Sequence, residues 1–341
     1  MMQKLLSLWS AAVIVAVLMM MVSMSTACGC GDDDDDDDSS AGGDDDDDDI
    51  SSSGDCDVEP ICSAFFNDGG EGGELNVAID SEGEYAIVET NSLAEHPMGP
   101  FAGGLEYSAQ DLTFYIPLEP AGDPGTETPL GPMAVAYNGV ALYNPWDATE
   151  VDGCSANAFY FRAVSFDDYG GHPQDSGQYH YHVGAFLNHA DDLGLENSLS
   201  GHSPILGYSF DGYPIYGPYG YSDPENADSP IQLLESCYAI VDERTCCTND
   251  STCGTDAEYL GLEAVLGAWI EDYEFDAGAL EDGDCDLNEY NMRFQVTPEY
   301  PEGTWAYIMT IKDGTPVYPY IIGMTYYGEP SESGEGGPPA R

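Results

Sequence analysis

The stretch "MAVAYNGVALYN", Met133 to Asn144, places an Asn-Gly pair between two short apolar runs. Asn138 and Gly139 favour the tight turn that joins two antiparallel strands, because both residue types accept a positive φ. The stretch therefore predicts a β-hairpin. A second hairpin is predicted for "ILGYSFDGYPIYG", Ile205 to Gly217, where Asp211-Gly212 occupies the turn.

Similar short segments, rich in aromatic and β-branched residues and bounded by Gly, Pro, Asn and Asp, recur on both sides of these hairpins. They predict a mainly β fold: an antiparallel β-sandwich-like domain with one or two minor helices. The one clear helical pattern is "DAEYLGLEAVLGAWIEDY", Asp256 to Tyr273, whose apolar residues recur at helical spacing. We expect those apolar residues to pack in the core.

Cysteine usage indicates a disulfide-stabilised domain. An even number of cysteines in an exported chain favours disulfides, although eight cysteines allow 105 pairings. Those from residue 56 onward are Cys56, Cys62, Cys154, Cys237, Cys246, Cys247, Cys253 and Cys285. A zinc site in "TCCTNDSTC", Thr245 to Cys253, is the less favoured alternative, because the chain has no CxxC pair.

The N-terminal region is typical of an export signal. A 12-residue apolar run, residues 11–22, precedes "STAC", in which Cys28 is positioned like the lipidated cysteine of a bacterial lipoprotein. We predict a signal peptide over 1–27, and a lipid-anchor site followed by a disordered acidic tether over 28–54. The folded domain would span 55–328, and 329–341 would form a flexible tail. The alternative is cleavage after Ala27 and secretion.

The charge balance limits the choice of partners. With 64 Asp and Glu against 6 Lys and Arg, the formal net charge is −58. So acidic a chain repels phosphate backbones, which excludes nucleic-acid binding. Contact with a membrane would run through a lipid on Cys28, which places the protein in a bacterial cell envelope. The oligomeric state is not predicted.

The histidine pattern suggests a metal site. In "GQYHYHVG", Gly177 to Gly184, His180 and His182 stand one residue apart, so in a strand they share one face with α-carbons about 6.6 Å apart. Two imidazoles at that spacing can chelate one ion, and Zn or Cu suits imidazole ligands. His172 and His202 are the further candidate ligands, because five of the six histidines fall between residues 172 and 202. Structural hydrogen bonding of the histidines is the open alternative.

Several ordered motifs resemble one known family. "GGHPQDSGQYHYH", then "GHSPILGYSFDGYPIYGPYG" and a closing "TPEYPEGTWAYIMT" are similar to the YHYH domain, over about residues 74–328. The resemblance implies an exported bacterial domain that is often lipid-anchored. It implies no reaction.

Two functions are consistent with these features. The first is a metal-binding domain that acts as an extracytoplasmic enzyme, with Asp211 as a candidate catalytic base. The second is a surface module that binds glycans or proteins through exposed aromatic residues, best represented by "YPIYGPYGYSDP", Tyr213 to Pro224. Whether the protein is an enzyme is left open. The acidic stretch from Asp282 to Asp286 begins like a calcium loop but lacks its Gly and Glu, so an irregular Ca site is a lesser alternative.

Overall fold

A computed structural model describes residues 56–122, 125–182, 201–247, 258–259 and 261–331. The predicted signal peptide, Cys28, the tether, Cys253, His189 and most of the tail lie outside the described residues. The α-helices are short: α1 (Ile61–Ala64), α2 (Ala158–Phe161) and α3 (Ala277–Asp282). Among the residues that the structure describes, no helix has both the length and the apolar character needed to cross a membrane.

Strands dominate the described chain, as the sequence predicted. In chain order they are β1 (Leu75–Ile79), β2 (Tyr85–Thr90), β3 (Leu112–Pro117), β4 (Pro132–Ala136), β5 (Ala141–Tyr143), β6 (Trp146–Val151), β7 (Cys154–Asn157), β8 (Gly171–Pro173), β9 (Tyr179–Tyr181), β10 (Ile205–Ser209), β11 (Pro214–Tyr216), β12 (Tyr219–Tyr221), β13 (Ile231–Leu233), β14 (Tyr238–Ile240), β15 (Glu258–Tyr259), β16 (Leu262–Glu263), β17 (Tyr273–Phe275), β18 (Met292–Gln295), β19 (Thr304–Ile308), β20 (Ile311–Lys312) and β21 (Thr315–Pro316).

Both predicted hairpins are present. β4 and β5 pair antiparallel around Asn138-Gly139, and β10 and β11 pair antiparallel around Asp211-Gly212. Gly139 has φ of 85° and Gly212 has φ of 90°, a backbone conformation that favours glycine. Added β-carbons would lie 2.6 Å from Thr90 Oγ1 and 2.6 Å from Pro117 O, so both turns also need glycine for space.

The hairpins form the centre of an eight-stranded sheet with the order β18-β19-β11-β10-β4-β5-β9-β8. Most neighbours are antiparallel, while β5 with β9 and β11 with β19 are parallel. The three-stranded antiparallel sheet β1-β2-β3 shares a core with one face of this sheet, which gives the predicted sandwich-like arrangement. That shared core includes Val88, Phe114, Val135, Ala141 and Ile308.

A second core lies on the opposite face of the large sheet. It contains Leu142, Tyr179 and Tyr181 among its buried residues. Because β5 pairs with β9 so that Ala141 lies beside His180 and Leu142 beside Tyr181, the two faces of β9 are fixed. The tyrosines of β9 therefore enter this second core, and His180 lies on the other face of the sheet.

Disulfides stabilise the described domain, as predicted. They join Cys56 to Cys62, Cys154 to Cys246 and Cys237 to Cys285, with Cα–Cα distances of 5.3–5.5 Å. Cys247 is also disulfide-bonded. Because Cys246 and Cys247 are both oxidised in disulfides, their sulfurs are not thiolate ligands, and the alternative zinc site in "TCCTNDSTC" loses two of its three cysteines.

The helix predicted over Asp256 to Tyr273 is wrong for the residues described there. That segment instead contains β15, β16, a 3-10 turn at Ile270–Asp272 and β17. Asp272 determines this path: its carboxylate is fully buried, pairs with Arg244 at 2.6 Å and accepts the backbone N–H of Gly267 at 2.9 Å. These long-range contacts of Asp272 hold the segment in a non-helical path, so tertiary context overrides the local helix propensity.

Candidate metal centre

Three of the predicted histidines meet at the edge of the large sheet. His172 on β8 lies directly opposite His180 on β9, and His182 follows the last residue of β9. The centroids of the three rings are 4.6 to 5.3 Å apart. One nitrogen atom from each ring lies within 4.8 Å of the other two, so this group could hold a metal ion.

The hydrogen bonds at Nδ1 fix the tautomer of two rings. His182 Nδ1 lies 2.7 Å from the carbonyl oxygen of Asn144, so it carries the proton and donates it. His172 Nδ1 lies 2.7 Å from Ser165 Oγ. The Ser165 hydroxyl already donates its proton to Arg162 O at 2.7 Å, so Ser165 Oγ accepts and His172 Nδ1 donates.

His180 completes the set. Its Nδ1 lies 3.2 Å from the carbonyl oxygen of Gln178, which can only accept. With a proton on each Nδ1, all three Nε2 atoms carry lone pairs. His180 Nε2 and His182 Nε2 are 3.1 Å apart: a proton on one of them would join the two rings by a hydrogen bond, and with both protons on Nδ1 the two atoms can bind one cation.

The geometry fits one small ion. Zn–N bonds are about 2.0–2.1 Å long, so two nitrogens bound to one tetrahedral zinc ion lie roughly 3.3 Å apart. The observed 3.1 Å separation is close to this value. The donor set of three imidazoles holds no carboxylate, which suits Zn or Cu better than Ca or Mg.

Burial keeps the rings neutral. Each of the three side chains is less than 9% exposed. Burial, reinforced by the charges of His182 and Arg162, lowers the pKa of His172 from 6.5 to about 3. Burial also lowers the pKa of His182 to about 4, although its bond to Asn144 acts in the opposite direction. Neutral imidazole is the form that binds metal, so protons do not compete for these nitrogens near pH 7.

The histidines line a cavity of about 640 Å³. Tyr143 stacks on His180 with the ring centroids 3.9 Å apart, and Trp146 also lines the cavity. The Arg162 side chain is 41% exposed and its Nε donates to Asp147 Oδ1 at 2.8 Å. A ligand of the site would therefore contact aromatic side chains and one guanidinium group.

The tyrosines of β9 anchor the strand on the face of the sheet opposite His180. Tyr179 donates its hydroxyl proton to Asp167 Oδ2 at 2.8 Å. Asp167 Oδ1 accepts the backbone N–H groups of Tyr169 at 2.9 Å and Gly171 at 3.1 Å. One carboxylate therefore ties the start of β8 to β9, which sets His172 against His180.

His96 also belongs to this support, although it is the one histidine of the sequence outside residues 172–202. It is 3% exposed, its ring stacks on Tyr169 at 3.9 Å, and its Nε2 lies 2.6 Å from the Tyr181 hydroxyl. Asn138 Nδ2 donates to the same hydroxyl oxygen at 3.0 Å. The contact joins residues 85 positions apart, and no local pattern in the sequence indicates it.

His202 does not join the cluster. Its ring contacts Tyr216 on β11 and Tyr221 on β12, and its Nδ1 lies 2.8 Å from Ser203 O. β11 is separated from β9 by three intervening strands of the large sheet. The structure therefore brings together three of the four predicted ligands.

Asp211 also lies apart from the cluster. Its side chain is fully buried; Oδ1 accepts the Ser209 hydroxyl, and Oδ2 accepts the Tyr307 hydroxyl at 2.7 Å and the Gly328 N–H at 2.8 Å. Burial raises the pKa of this carboxyl group. These bonds tie the β10–β11 turn to the C-terminal segment, which is a structural role.

The aromatic stretch and the acidic stretch that the sequence suggested as binding sites both make internal contacts. In the aromatic stretch from Tyr213 to Pro224, Tyr213 is 7% exposed, Tyr216 is fully buried, and Tyr219 and Tyr221 are half-buried. In the acidic stretch, the Asp286 carboxylate accepts Gln232 Nε2 and the Glu235 N–H, both at 2.8 Å. The tyrosines are thus less exposed than the sequence suggested, whereas Asp282 and Asp284 of the acidic stretch are exposed.

The fold and site define a mainly β protein with a buried three-histidine centre. A model of the family described as YHYH protein matches residues 113–323, which is more than half of the chain and includes all three histidines. The chain belongs to this family, as its motifs indicated. No curated protein and no solved structure matches the chain.

Proposed function

We propose that His172, His180 and His182 bind one transition-metal ion through their Nε2 atoms. The observation that carries the proposal is the convergence of three Nε2 lone pairs, with each Nδ1 beside an oxygen that accepts its proton. One metal ion can bind both of the Nε2 atoms that lie 3.1 Å apart.

The ion is zinc or copper. Three neutral imidazoles are typical of both, and catalytic zinc sites commonly combine three protein ligands with one exchangeable position. The cavity of about 640 Å³ beside the histidines is large enough to admit a small molecule. We therefore propose metal-dependent chemistry on a small molecule.

Metal content tests this function. Residues 55–341, produced in an oxidising compartment, should retain close to one zinc or copper ion per chain by mass spectrometry. The His180→Ala/His182→Ala variant should lose that ion while it stays folded. His202→Ala is the matched control, because it removes a histidine outside the cluster and should keep the metal. Equal metal in the wild type and the double variant would overturn the proposal.

The location of the protein is a separate proposal: export and anchoring through a lipid on Cys28. It is supported by the apolar run at residues 11–22, the small residues before Cys28 and the disulfides of the described domain, which form in oxidising compartments. Mass spectrometry of the mature protein should find an acylated Cys28 at its N-terminus, and Cys28→Ser should abolish the modification. A mature chain that starts elsewhere and carries no lipid would contradict it.

A further inference from the structure

Arg162 stands out among the cations of this acidic chain. Within the described residues, Arg244 is buried against Asp272, Arg293 is buried against Gln295, and Lys312 is exposed on β20. Arg162 instead lines the cavity that contains the three histidines. In a chain with a net charge of −58, a guanidinium group at that position needs an explanation.

Arg162 pairs with Asp147 and is the more exposed of the two side chains. The Arg162 side chain is 41% exposed, whereas that of its partner Asp147 is 13% exposed. Asp147 Oδ2 is buried and accepts no hydrogen bond from a described residue. The Arg162 side chain therefore keeps a larger exposed fraction than the Asp147 carboxylate with which it pairs. Asp175, the other acidic residue lining the cavity, is exposed, so solvent screens its charge.

Arg162 is also fixed in position relative to the histidines. Its carbonyl oxygen accepts the Ser165 hydroxyl, and Ser165 Oγ in turn accepts His172 Nδ1–H. After burial, the charge of Arg162 is one of the causes that lower the pKa of His172 and of His182, so its field reaches both rings. The fold thus keeps one cation beside the metal ligands.

We infer that the ligand of this cavity is a small oxyanion, a carboxylate or a phosphate, that binds the metal ion and is recognised by Arg162. The inference rests on the proposed metal site. A divalent ion on three neutral histidines, next to a guanidinium group, makes this cavity positive within an acidic protein. Arginine is the side chain best suited to carboxylate and phosphate groups, because its planar N–H donors match their oxygen atoms.

Cobalt-loaded protein provides the test, because the visible absorption of Co²⁺ reports binding at the metal without any activity assay. Acetate and inorganic phosphate are the probes, titrated separately to distinguish the two anions, and acetamide is the neutral counterpart of acetate. At least one anion should bind the wild type at least tenfold more tightly than acetamide. Arg162→Gln should lower the affinity for that anion at least tenfold and leave the affinity for acetamide unchanged.

Two further variants make the result specific. Lys312→Gln removes the same charge from an exposed position on β20 and should leave anion binding unchanged. Asp147→Asn/Arg162→Gln removes both partners of this ion pair, so the Asp147 carboxylate is not left without Arg162, and the variant should show the same loss as Arg162→Gln.

The outcomes separate the two proposals. Cobalt bound in the wild type, with equal anion affinity in Arg162→Gln and in the double variant, would overturn the role of Arg162 alone. A wild-type protein that gives no cobalt spectrum would overturn the metal site and this inference together.

Discussion

At the residue scale, the Nδ1 atom of each imidazole matters as much as the Nε2 atom that we propose as the metal ligand. Alternation along a strand predicted that His180 and His182 share one face, because that inference needs only residues two apart. Their Nδ1 acceptors could not be predicted in the same way. His182 uses the carbonyl of Asn144, 38 residues earlier, and this contact exists only because β5 pairs with β9.

Ser165 provides a direct test of tautomer control. Ser165→Ala removes the acceptor of His172 Nδ1–H, so the ring loses the bond that directs its Nε2 towards the other histidines. Loss of such an outer partner typically weakens metal binding about 10- to 100-fold. Competition with a chelator should show this change, with little change in the thermal unfolding temperature of the metal-free protein.

Ser176→Ala is the control for this prediction, because Ser176 lines the same cavity and is exposed. It should leave the metal affinity unchanged. Equal affinities for Ser165→Ala and the wild type would show that Ser165 does not orient His172.

The buried histidines also predict the pH dependence of the metal-free protein. The folded pKa values of His172 and His182 are about 3 and about 4, mainly because of burial, against an ordinary value of 6.5. At a pH between the folded pKa and 6.5, each of these histidines is more protonated in the unfolded chain than in the folded one. The free energy of unfolding therefore falls as the pH falls through this range. The stabilisation is complete above pH 6.5 and is lost progressively towards pH 4 and below.

Urea unfolding of the metal-free protein between pH 7 and pH 4 should show this fall. One pKa unit corresponds to about 1.4 kcal/mol, so His182 alone would account for roughly 3 kcal/mol. The His172→Asn/His182→Asn variant should lose less stability over the same range. An identical pH slope in the wild type and the variant would contradict the prediction.

At the element scale, the sequence predicted best where one local signal determined the structure. Asn138-Gly139 and Asp211-Gly212 each set a turn, and both hairpins formed as expected. The helix predicted over residues 256–273 failed for the opposite reason. There, the buried pairing of Asp272 with Arg244, 28 residues apart, determined the path of the chain.

The turn at Gly139 can be tested with one substitution. In Gly139→Ala the new methyl group would lie 2.6 Å from Thr90 Oγ1, in addition to the strain of a positive φ. Gly314→Ala is the control, because Gly314 has φ of 75° with nothing within 4 Å of an added β-carbon. The control should cost about 1–2 kcal/mol in the free energy of unfolding, as positive φ does for non-glycine residues.

Gly139→Ala should cost at least about 1 kcal/mol more than this control, as overpacking of a filled site does. Chemical unfolding curves of the two variants and the wild type measure the difference. Equal losses for the two variants would show that the β-carbon at residue 139 is accommodated without a clash.

At the scale of the whole molecule, cross-links between distant segments add to a core that is shared by two sheets. The Cys154–Cys246 disulfide spans 92 residues, whereas Cys56–Cys62 spans 6. Closing a longer loop lowers the entropy of the unfolded chain more. By this argument Cys154–Cys246 contributes about 4–5 kcal/mol to the free energy of unfolding and Cys56–Cys62 about 2 kcal/mol. The number and parity of the cysteines predicted disulfides, but their pairing depends on the fold.

The two disulfides should therefore differ in their contribution to stability. Cys154→Ala/Cys246→Ala should lower the free energy of unfolding by about 2 kcal/mol more than Cys56→Ala/Cys62→Ala. Urea unfolding of the two double variants measures the difference. A larger loss for the short loop would contradict the loop-entropy argument.

The central claim is that three Nε2 atoms of this YHYH protein meet at one metal ion. Anomalous diffraction from crystals of the zinc-loaded protein, recorded at the zinc absorption edge, tests it most directly. We predict one strong peak about 2.0–2.1 Å from Nε2 of His172, His180 and His182. A peak bound to fewer than three of these rings, bound through Nδ1, or located elsewhere on the protein would contradict the account.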